Sequence, residues 1–531
     1  MKYEESDKRT AAAQGMLHAY WAERIPDRTA LFTEFGDRTF DELNTNINRL
    51  VRALRRRQLQ PGDAVAIMCT NRPEFIEVLN ATNRAGLRLT PINWHLTGEE
   101  AAYIINNCQA KAFVCSAEMA DRAADAAKGG GQDLVRIMVG AFVPGFEKYS
   151  DVISAEEGSD IDDAMLGTQM LYTSGTTGRP KGVHRDTTPT SALAVINFCG
   201  YNEDWANSLD AHLVTGPLYH AAPLAFSVAV PTIYGVPLVI MEKWEPGETL
   251  RLIEHHGITH SHMVPTMFHR LLALPDDVKA KFDISSLRYV IHGAAPCPVQ
   301  VKQRIIEWFG PIITEYYAAT EGLGTLVDSK TWLEHPGTVG RPMVPELVKV
   351  MTEHGSAEAQ PGEIGLVYLH SPSGTKFDYF GDPDKTAGAF QGDYFTLGDM
   401  GYMDDDGFLF LTDRTANLII SGGVNIYPAE VDAVLLEHPA VGDVATIGVP
   451  DEEWGEAVKA VVQLAPGTEA SPELAQELIS FCREHLAHYK CPRTVDFVAE
   501  LPREDTGKIF KRKLRDQYRA AMQAQSDSQS Q

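Results

Sequence analysis

Thr173-Ser174-Gly175-Thr176-Thr177-Gly178-Arg179-Pro180-Lys181-Gly182 is the stretch on which the reading of this chain turns. It follows the apolar run Met170–Thr173, which reads as a strand entering a loop. Hydroxyls and glycines packed this densely offer many N–H and O–H donors with little bulk. Such a loop can wrap a polyphosphate, and Lys181 adds a point charge. It is not a Walker A loop, because Gly507-Lys508 is followed by Ile509 rather than Ser or Thr, and no GxGxxG occurs.

Upstream of the loop, helix and strand signals alternate. Phe40 to Arg57 has helical spacing, with Leu43, Ile47, Leu50, Val51 and Leu54 on one face. Pro61-Gly62-Asp63 is a turn, Ala64–Cys69 a short strand, Arg72–Gly86 a helix and Leu87–Ile92 another strand. This alternation predicts an α/β fold with parallel pairing. Downstream of the loop, Ala211–Met241 carries no Asp, Glu, Lys or Arg, yet Pro217, Pro223, Pro231, Gly235 and Pro237 interrupt it. It reads as a buried helix flanked by core strands, not a membrane span. The pattern changes near Asp413-Arg414. Beyond it come a helix at Ala429–Leu436, strands at Val441–Val449 and Glu456–Leu464, a helix at Pro472–Leu486 capped by Ser471, and a strand at Thr494–Val498. The expected division is a large α/β domain over 1–413, a small α+β domain over 417–520 and a disordered Gln/Ser-rich tail over 521–531.

Composition narrows the function. The chain has 531 residues and a formal net charge of −25, which argues against a nucleic-acid binder or a polybasic membrane protein. Its seven cysteines are scattered, with no CxxC, as in a cytoplasmic protein with reduced thiols. The N-terminus carries no apolar signal region, and no integral membrane segment is expected. Beyond Glu254, no carboxylate or cysteine shares the spacing of His255, His256, His260 and His262, so no zinc site is expected there.

The ten-residue string closely resembles the phosphate loop of the AMP-forming adenylating enzymes: acyl-CoA synthetases, carrier-loading adenylation domains and beetle luciferases. Further motifs of that family follow in order, so the resemblance runs from about residue 15 to about 519. In general look it is closest to bacterial ligases for fatty or steroid-derived acids. His292-Gly293-Ala294-Ala295-Pro296 resembles the adenine-wall segment, and Tyr316-Tyr317-Ala318-Ala319-Thr320-Glu321 the Tyr-Gly-x-Thr-Glu box. There Tyr317 would stack on adenine, Thr320 bond a phosphate oxygen and Glu321 hold Mg²⁺ with Thr173. Ala318 stands where the family often has Gly, and its methyl is expected to face the acyl pocket. Tyr394–Asp399 resembles the Thr-Gly-Asp box, with Leu397 in place of Thr and Asp399 as ribose acceptor. Arg414 matches the arginine before the hinge, a ribose or phosphate partner. Ala416 occupies the hinge position.

Ser421–Pro428 is similar to the glycine loop that lines the pantetheine tunnel, with Gly422 and Gly423 at its centre. Pro502–Ile509 resembles the C-terminal lysine motif, which places Lys508 at the α-phosphate. His220 matches an aromatic gate beside the carboxylate, with apolar Leu224, Ala225 and Phe226 following. The resemblance implies an ATP-dependent acyl-CoA ligase. Its substrates are ATP, coenzyme A and an apolar carboxylic acid (fatty, aryl and steroid-derived acids all fit), with Mg²⁺ as cofactor. It would first make acyl-AMP and pyrophosphate. The small domain would then rotate, replacing Lys508 with the glycine loop for thioester formation. A homodimer is compatible with this reading. A carrier-loading enzyme and a non-catalytic acyl-adenylate binder are the competing readings.

Overall fold

A computed structural model describes residues 8–173, 180–185, 210–352, 357–371, 376–414, 417–421, 424–451, 454–503 and 509–529. The alternation upstream of the phosphate loop folds as expected. Thr39 and Glu42 form a reciprocal capping box that starts the helix Phe40–Arg56, whose Leu43, Ile47, Leu50, Val51 and Leu54 are fully buried. The fully buried strand Ala64–Met68 pairs in parallel with Arg88–Pro91 and Ala110–Ser116, at the centre of a six-stranded, wholly parallel sheet.

A second sheet has nine strands and holds much of the chemistry. Strands Thr29–Phe32, Leu238–Ile240, His212–Val214 and His260–Met263 run parallel across it. Eight further strands and one helix matter most below. β1 (Leu171–Thr173) and β2 (Lys181–His184) form an antiparallel pair, with Thr173 opposite Lys181. β3 (Tyr289–His292) joins the nine-stranded sheet in parallel and leads, through Gly293–Pro298, to α1 (Val299–Phe309). β4 (Ile313–Ala319) lies parallel to β3 and returns through a two-residue turn as β5 (Gly322–Asp328). β6 (Asp378–Tyr379) pairs with β2. β7 (Tyr394–Met403) and β8 (Leu409–Arg414) are antiparallel neighbours in a separate five-stranded sheet.

The uncharged stretch 211–241 folds as the expected buried helix flanked by core strands, but most of the helix is not α-helical. After the strand His212–Val214 it forms a seven-residue π-helix, Pro223–Ala229, followed by a short α-helix, Val230–Tyr234, closed by Gly235 at φ +65°. The stretch is apolar on every side, so its sequence carries no periodicity to distinguish a wide turn from an α-turn. No helix among the described residues is long and apolar enough to cross a membrane.

The C-terminal unit matches its expected elements. Pro428–Leu435 and Pro472–His485 are helices, and the hydroxyl of Ser471 accepts from Leu474 N at 3.1 Å. Strands Val441–Asp451, Gly455–Leu464 and Thr494–Val498 share one sheet. The tail differs from expectation, because the last helix runs Lys511–Gln529. Ala520, Ala521, Met522, Gln523 and Ala524 are good helix formers, and no Gly or Pro stops the helix before Gln529.

Candidate active site

The carboxyl ends of parallel strands collect the candidate residues, as the architecture of open α/β sheets favours. Gly293–Ala295 follow β3, Thr320 and Glu321 follow β4, and the loop to His220 follows the strand His212–Val214.

On the phosphate side, Thr173 and Lys181 face each other across the base of the loop. Ser174, Gly175, Thr176, Thr177 and Gly178 lie outside the described residues. Thr320 and Glu321 form the whole turn between β4 and β5, because Ala319 pairs with Gly322. A two-residue hairpin turn fixes both side chains relative to two strands. The Tyr379 hydroxyl donates to Glu321 Oε1 at 3.2 Å, and Lys181 Nζ lies 4.9 Å from the Tyr379 ring centroid. Tyr379 thus stands between the cation and the carboxylate. Burial and the neighbouring Lys385 ammonium push the Lys181 pKa down to about 8, against the opposing pull of Glu321 and Asp382. Arg185, one residue beyond β2, also feels the Glu321 charge.

The residues expected at the base and ribose lie on β4, β7 and β8, with β5 packed beside them. The Tyr317 hydroxyl donates to Asp399 Oδ2 at 2.8 Å, so the expected adenine platform and the expected ribose acceptor are joined. Gly324 makes this possible, since a Cβ there would sit 2.9 Å from the Tyr317 ring. Asp399 is buried and lies directly opposite Arg414 in the β7–β8 register. Gly398 turns the chain into Asp399 at φ +78°. Leu397 packs into the hydrophobic cluster of Val367, Leu369 and Phe395, and the neighbouring Thr396 hydroxyl accepts from Gly398 N at 3.1 Å. In the segment after β3, Gly293 allows Tyr316 to cross, because a Cβ would lie 2.6 Å from Tyr316 O. Ala294 follows at φ +69°, a left-handed conformation that costs about 1–3 kcal/mol without glycine and is found where the surrounding chain enforces it. Ala295 is half-buried beside it.

On the acid side, His220 is half-buried at the entrance of the π-helix, and its carbonyl accepts from Leu224 N at 3.2 Å. The loop before it is held by buried Asn71, whose amide donates to Gly216 O at 2.9 Å and Met241 O at 3.1 Å and accepts from Leu218 N at 2.9 Å. Leu224 and Phe226, which follow His220, belong to different hydrophobic clusters. Leu224 packs into the large N-terminal core, while Phe226 packs with Ile291 and Tyr316. Burial pushes the pKa values of His260 and His262 down to about 3, so both are neutral core imidazoles.

Gly422, Gly423 and Lys508 lie outside the described residues, as do Ala416 and the side chain of Arg414. The flanks of Lys508 are described: Arg503 and Ile509 pair across an antiparallel bridge. Tyr379, Asn71, Gly324 and Arg185 escaped the sequence reading. Tyr379, Asn71 and Arg185 act through partners far away in the chain, Gly324 through Tyr317 across the hairpin, and no local pattern marks any of them.

Two models of the same family match the sequence: the AMP-binding enzyme model over residues 19–377 and the AMP-binding enzyme C-terminal domain model over residues 430–508. The chain belongs to the AMP-binding enzyme family. It is 32 % identical over 512 residues to a 2-succinylbenzoate–CoA ligase of Bacillus licheniformis, covering 94 % of this chain and 100 % of that protein. It is 34 % identical over 503 residues to a feruloyl-CoA synthase of an Amycolatopsis species, covering 94 % and 97 %. The solved anthranilate CoA ligase in complex with anthranoyl-AMP superposes with a TM-score of 0.85 at 25 % identity, covering 97 % of this chain and 98 % of that one. The chain is accordingly an AMP-forming acid–thiol ligase of the acyl-CoA synthetase type, working on ATP, CoA and a small carboxylic acid.

Proposed function

We propose that this ligase activates a compact, ring-bearing carboxylic acid as its acyl-AMP and passes the acyl group to CoA. The observation that carries the nucleotide half is the β4–β5 hairpin. Tyr317 reaches Asp399 from one strand of the hairpin, and at its tip Glu321 meets Tyr379, whose ring lies against Lys181. One rigid element thus joins a base-and-ribose side to a phosphate side. The ring-bearing acid is supported by the uncharged wall of His220, Ala225, Phe226, Tyr316 and Ala318, and by relatives named for aryl acids.

In this reading Tyr317 stacks on adenine and Asp399 and Arg414 take the ribose. Residues 173–178, Lys181 and Thr320 take the phosphates, with Gly293–Ala295 walling the base. His220 stands beside the carboxylate. Glu321 fits a hard cation, being a buried carboxylate at a hairpin tip beside the hydroxyl of Thr320. With Thr173 it would hold Mg²⁺, which supplies charge neutralisation at the phosphates. Lys508 serves the first half-reaction, and Gly422 and Gly423 the second. Residues 1–413 act as the adenylating domain and 417–520 as the mobile one. A cytoplasmic setting is supported by the free cysteines, which among the described residues are buried or half-buried.

Pyrophosphate release with benzoate, cinnamate and fatty acids, followed by thioester formation with and without CoA, tests the reading. Release with ring-bearing acids and CoA-dependent product is expected. Product that forms only on a carrier protein, or no preference for rings, defeats it.

Two substitutions test the nucleotide assignments. Asp399→Ala is expected to weaken ATP and AMP together by about 1–3 kcal/mol, through loss of a charged hydrogen bond. Calorimetry on the folded variant checks this, and wild-type affinity for both nucleotides contradicts it. Lys181 gives a pH signature. Its depressed pKa means the ammonium is present below about pH 8 and lost above it. ATP affinity should therefore weaken above pH 8, by up to about tenfold per pH unit if one proton is taken up on binding. Lys181→Arg keeps its charge, so its profile should stay flat between about pH 7 and 9. A wild type equally flat over that range removes Lys181 from the phosphates.

A further inference from the structure

The face of the nine-stranded sheet beneath the π-helix contains a partition. Side chains on this face can be read from the register. His262 lies opposite Ile291, Ile291 opposite Thr314, Tyr316 opposite Leu326 and Thr314 opposite Asp328. Alternation along β4 then places Thr314, Tyr316 and Ala318 on one side, in that order toward the Thr320–Glu321 turn. The last of the three, Ala318, is half-buried and next to the turn. Tyr316 is 5 % exposed. Its hydroxyl meets His262 Nε2 at 3.0 Å, and its ring packs against Phe226 of the π-helix at a centroid distance of 4.7 Å. Phe226 also stacks on His262 at 5.5 Å and 26°. Tyr316 is thus held by a hydrogen bond on one side and an aromatic ring on the other. One pleat beyond it opens a cavity of about 320 Å³, lined by Tyr289, Thr314, Leu326, Asp328 and Arg341.

We infer that Tyr316, pinned by His262 and backed by Phe226, is the wall that sets the length of acid this ligase accepts. It separates the acid site at Ala318 from the cavity at Thr314 and Leu326. From Thr320 back to Tyr316 the strand spans about 13 Å, room for a ring-bearing acid and short for a long extended chain. The Tyr316 ring also lies against Gly293, where a Cβ would meet it at 2.7 Å, while the neighbouring Tyr317 points the other way, to Asp399; the test therefore compares two acids, so that any effect on ATP cancels. The inference rests on the ring-bearing-acid reading above and adds what enforces it. Removing the ring joins the acid site to the outer cavity and admits longer tails. Removing only the hydroxyl keeps the wall in place, since Phe226 still supports it.

The test is the ratio of kcat/KM for dodecanoate to that for cinnamate, measured by pyrophosphate release in the wild type, Tyr316→Phe and Tyr316→Ala. The wild type should favour cinnamate, Tyr316→Phe should stay within about threefold of the wild-type ratio, and Tyr316→Ala should raise the ratio at least tenfold. An unchanged ratio in folded Tyr316→Ala overturns the wall. A wild type that favours dodecanoate overturns the ring-bearing-acid reading itself. If Tyr316→Ala does not yield folded protein, Tyr316→Leu carries the same test, because it removes the ring and keeps the position apolar. An unchanged ratio in that variant also overturns the wall.

Discussion

Lys508→Ala is expected to slow acyl-AMP formation about a hundredfold or more, while ready-made acyl-AMP and CoA still give thioester at close to the wild-type rate. A cation placed where charge develops in the transition state typically contributes about 3–4 kcal/mol, because the attacking carboxylate and the α-phosphate repel each other. The described flanks of Lys508 are firmly placed. Arg503 is paired with Asp443 and bridged to Ile509, and Phe510 N donates to Pro502 O at 2.7 Å. The same region lies against the N-terminal helix Pro265–Leu272: His269 meets the backbone of Gly442, and burial with the nearby Arg270 pushes the Arg503 pKa down to about 10. Gly423→Leu should give the opposite split, since a side chain in a narrow tunnel obstructs CoA and spares the ATP side. Equal loss of both half-reactions in both folded variants would instead point to one fixed site without domain rotation.

Lys302→Met is expected to destabilise the protein by about 3–5 kcal/mol, although Lys302 touches no substrate. Its ammonium is fully buried in α1 and forms an ion pair with Glu315 of β4. The Trp332 ring lies 4.7 Å from Lys302 Nζ, and His292 Nε2 is 3.7 Å from the same carboxylate. Replacing the lysine by an apolar chain of similar length leaves Glu315 buried without its cation. That uncompensated charge, not the lost attraction, is the source of the cost. The pair also fastens α1 to β4, and Gly293–Ala295, proposed to wall the adenine, run between β3 and α1. The KM for ATP should therefore rise along with the loss of stability. The double variant Lys302→Met/Glu315→Leu should recover most of the stability, since an apolar pair avoids the desolvation cost. Denaturant unfolding of the two singles and the double closes the cycle. A double variant no more stable than Lys302→Met shows that packing, not charge, governs the position.

The motif residues were legible because each couples a residue type to a chemical task at a fixed spacing. The strands Ala64–Met68 and Thr494–Val498 and the capped helix Pro472–His485 were legible because their signals are local. Tyr379 was not. It reaches Glu321 only because β6 pairs with β2, whose residues lie nearly two hundred positions earlier. Asn71 fixes the His220 loop from 145 positions away, and no pattern around it announces a clamp. Leu397, noted in the sequence as standing where the family has Thr, is occupied in core packing, which no local pattern could have shown. The tail looked polar enough for disorder, but its residues favour helix more than the loss of amphipathic patterning suggested.

Pro223–Ala229 gives this pocket an unusual route for change over evolutionary time. A π-turn holds more residues than an α-turn, so a single-residue deletion can return the segment to α-helical winding. Each residue of an α-helix advances about 100° around the axis, so the deletion would re-aim every side chain beyond it at once, Phe226 among them. The strands on either side, His212–Val214 and Leu238–Ile240, are locked in register and need not move. Substitutions in a close-packed core must each be accommodated by their neighbours. A change in helical phase instead presents a new set of side chains to the acid in one step. The π-helical side of the proposed acid site is thus open to wholesale exchange, while β4, which carries Tyr316, stays fixed.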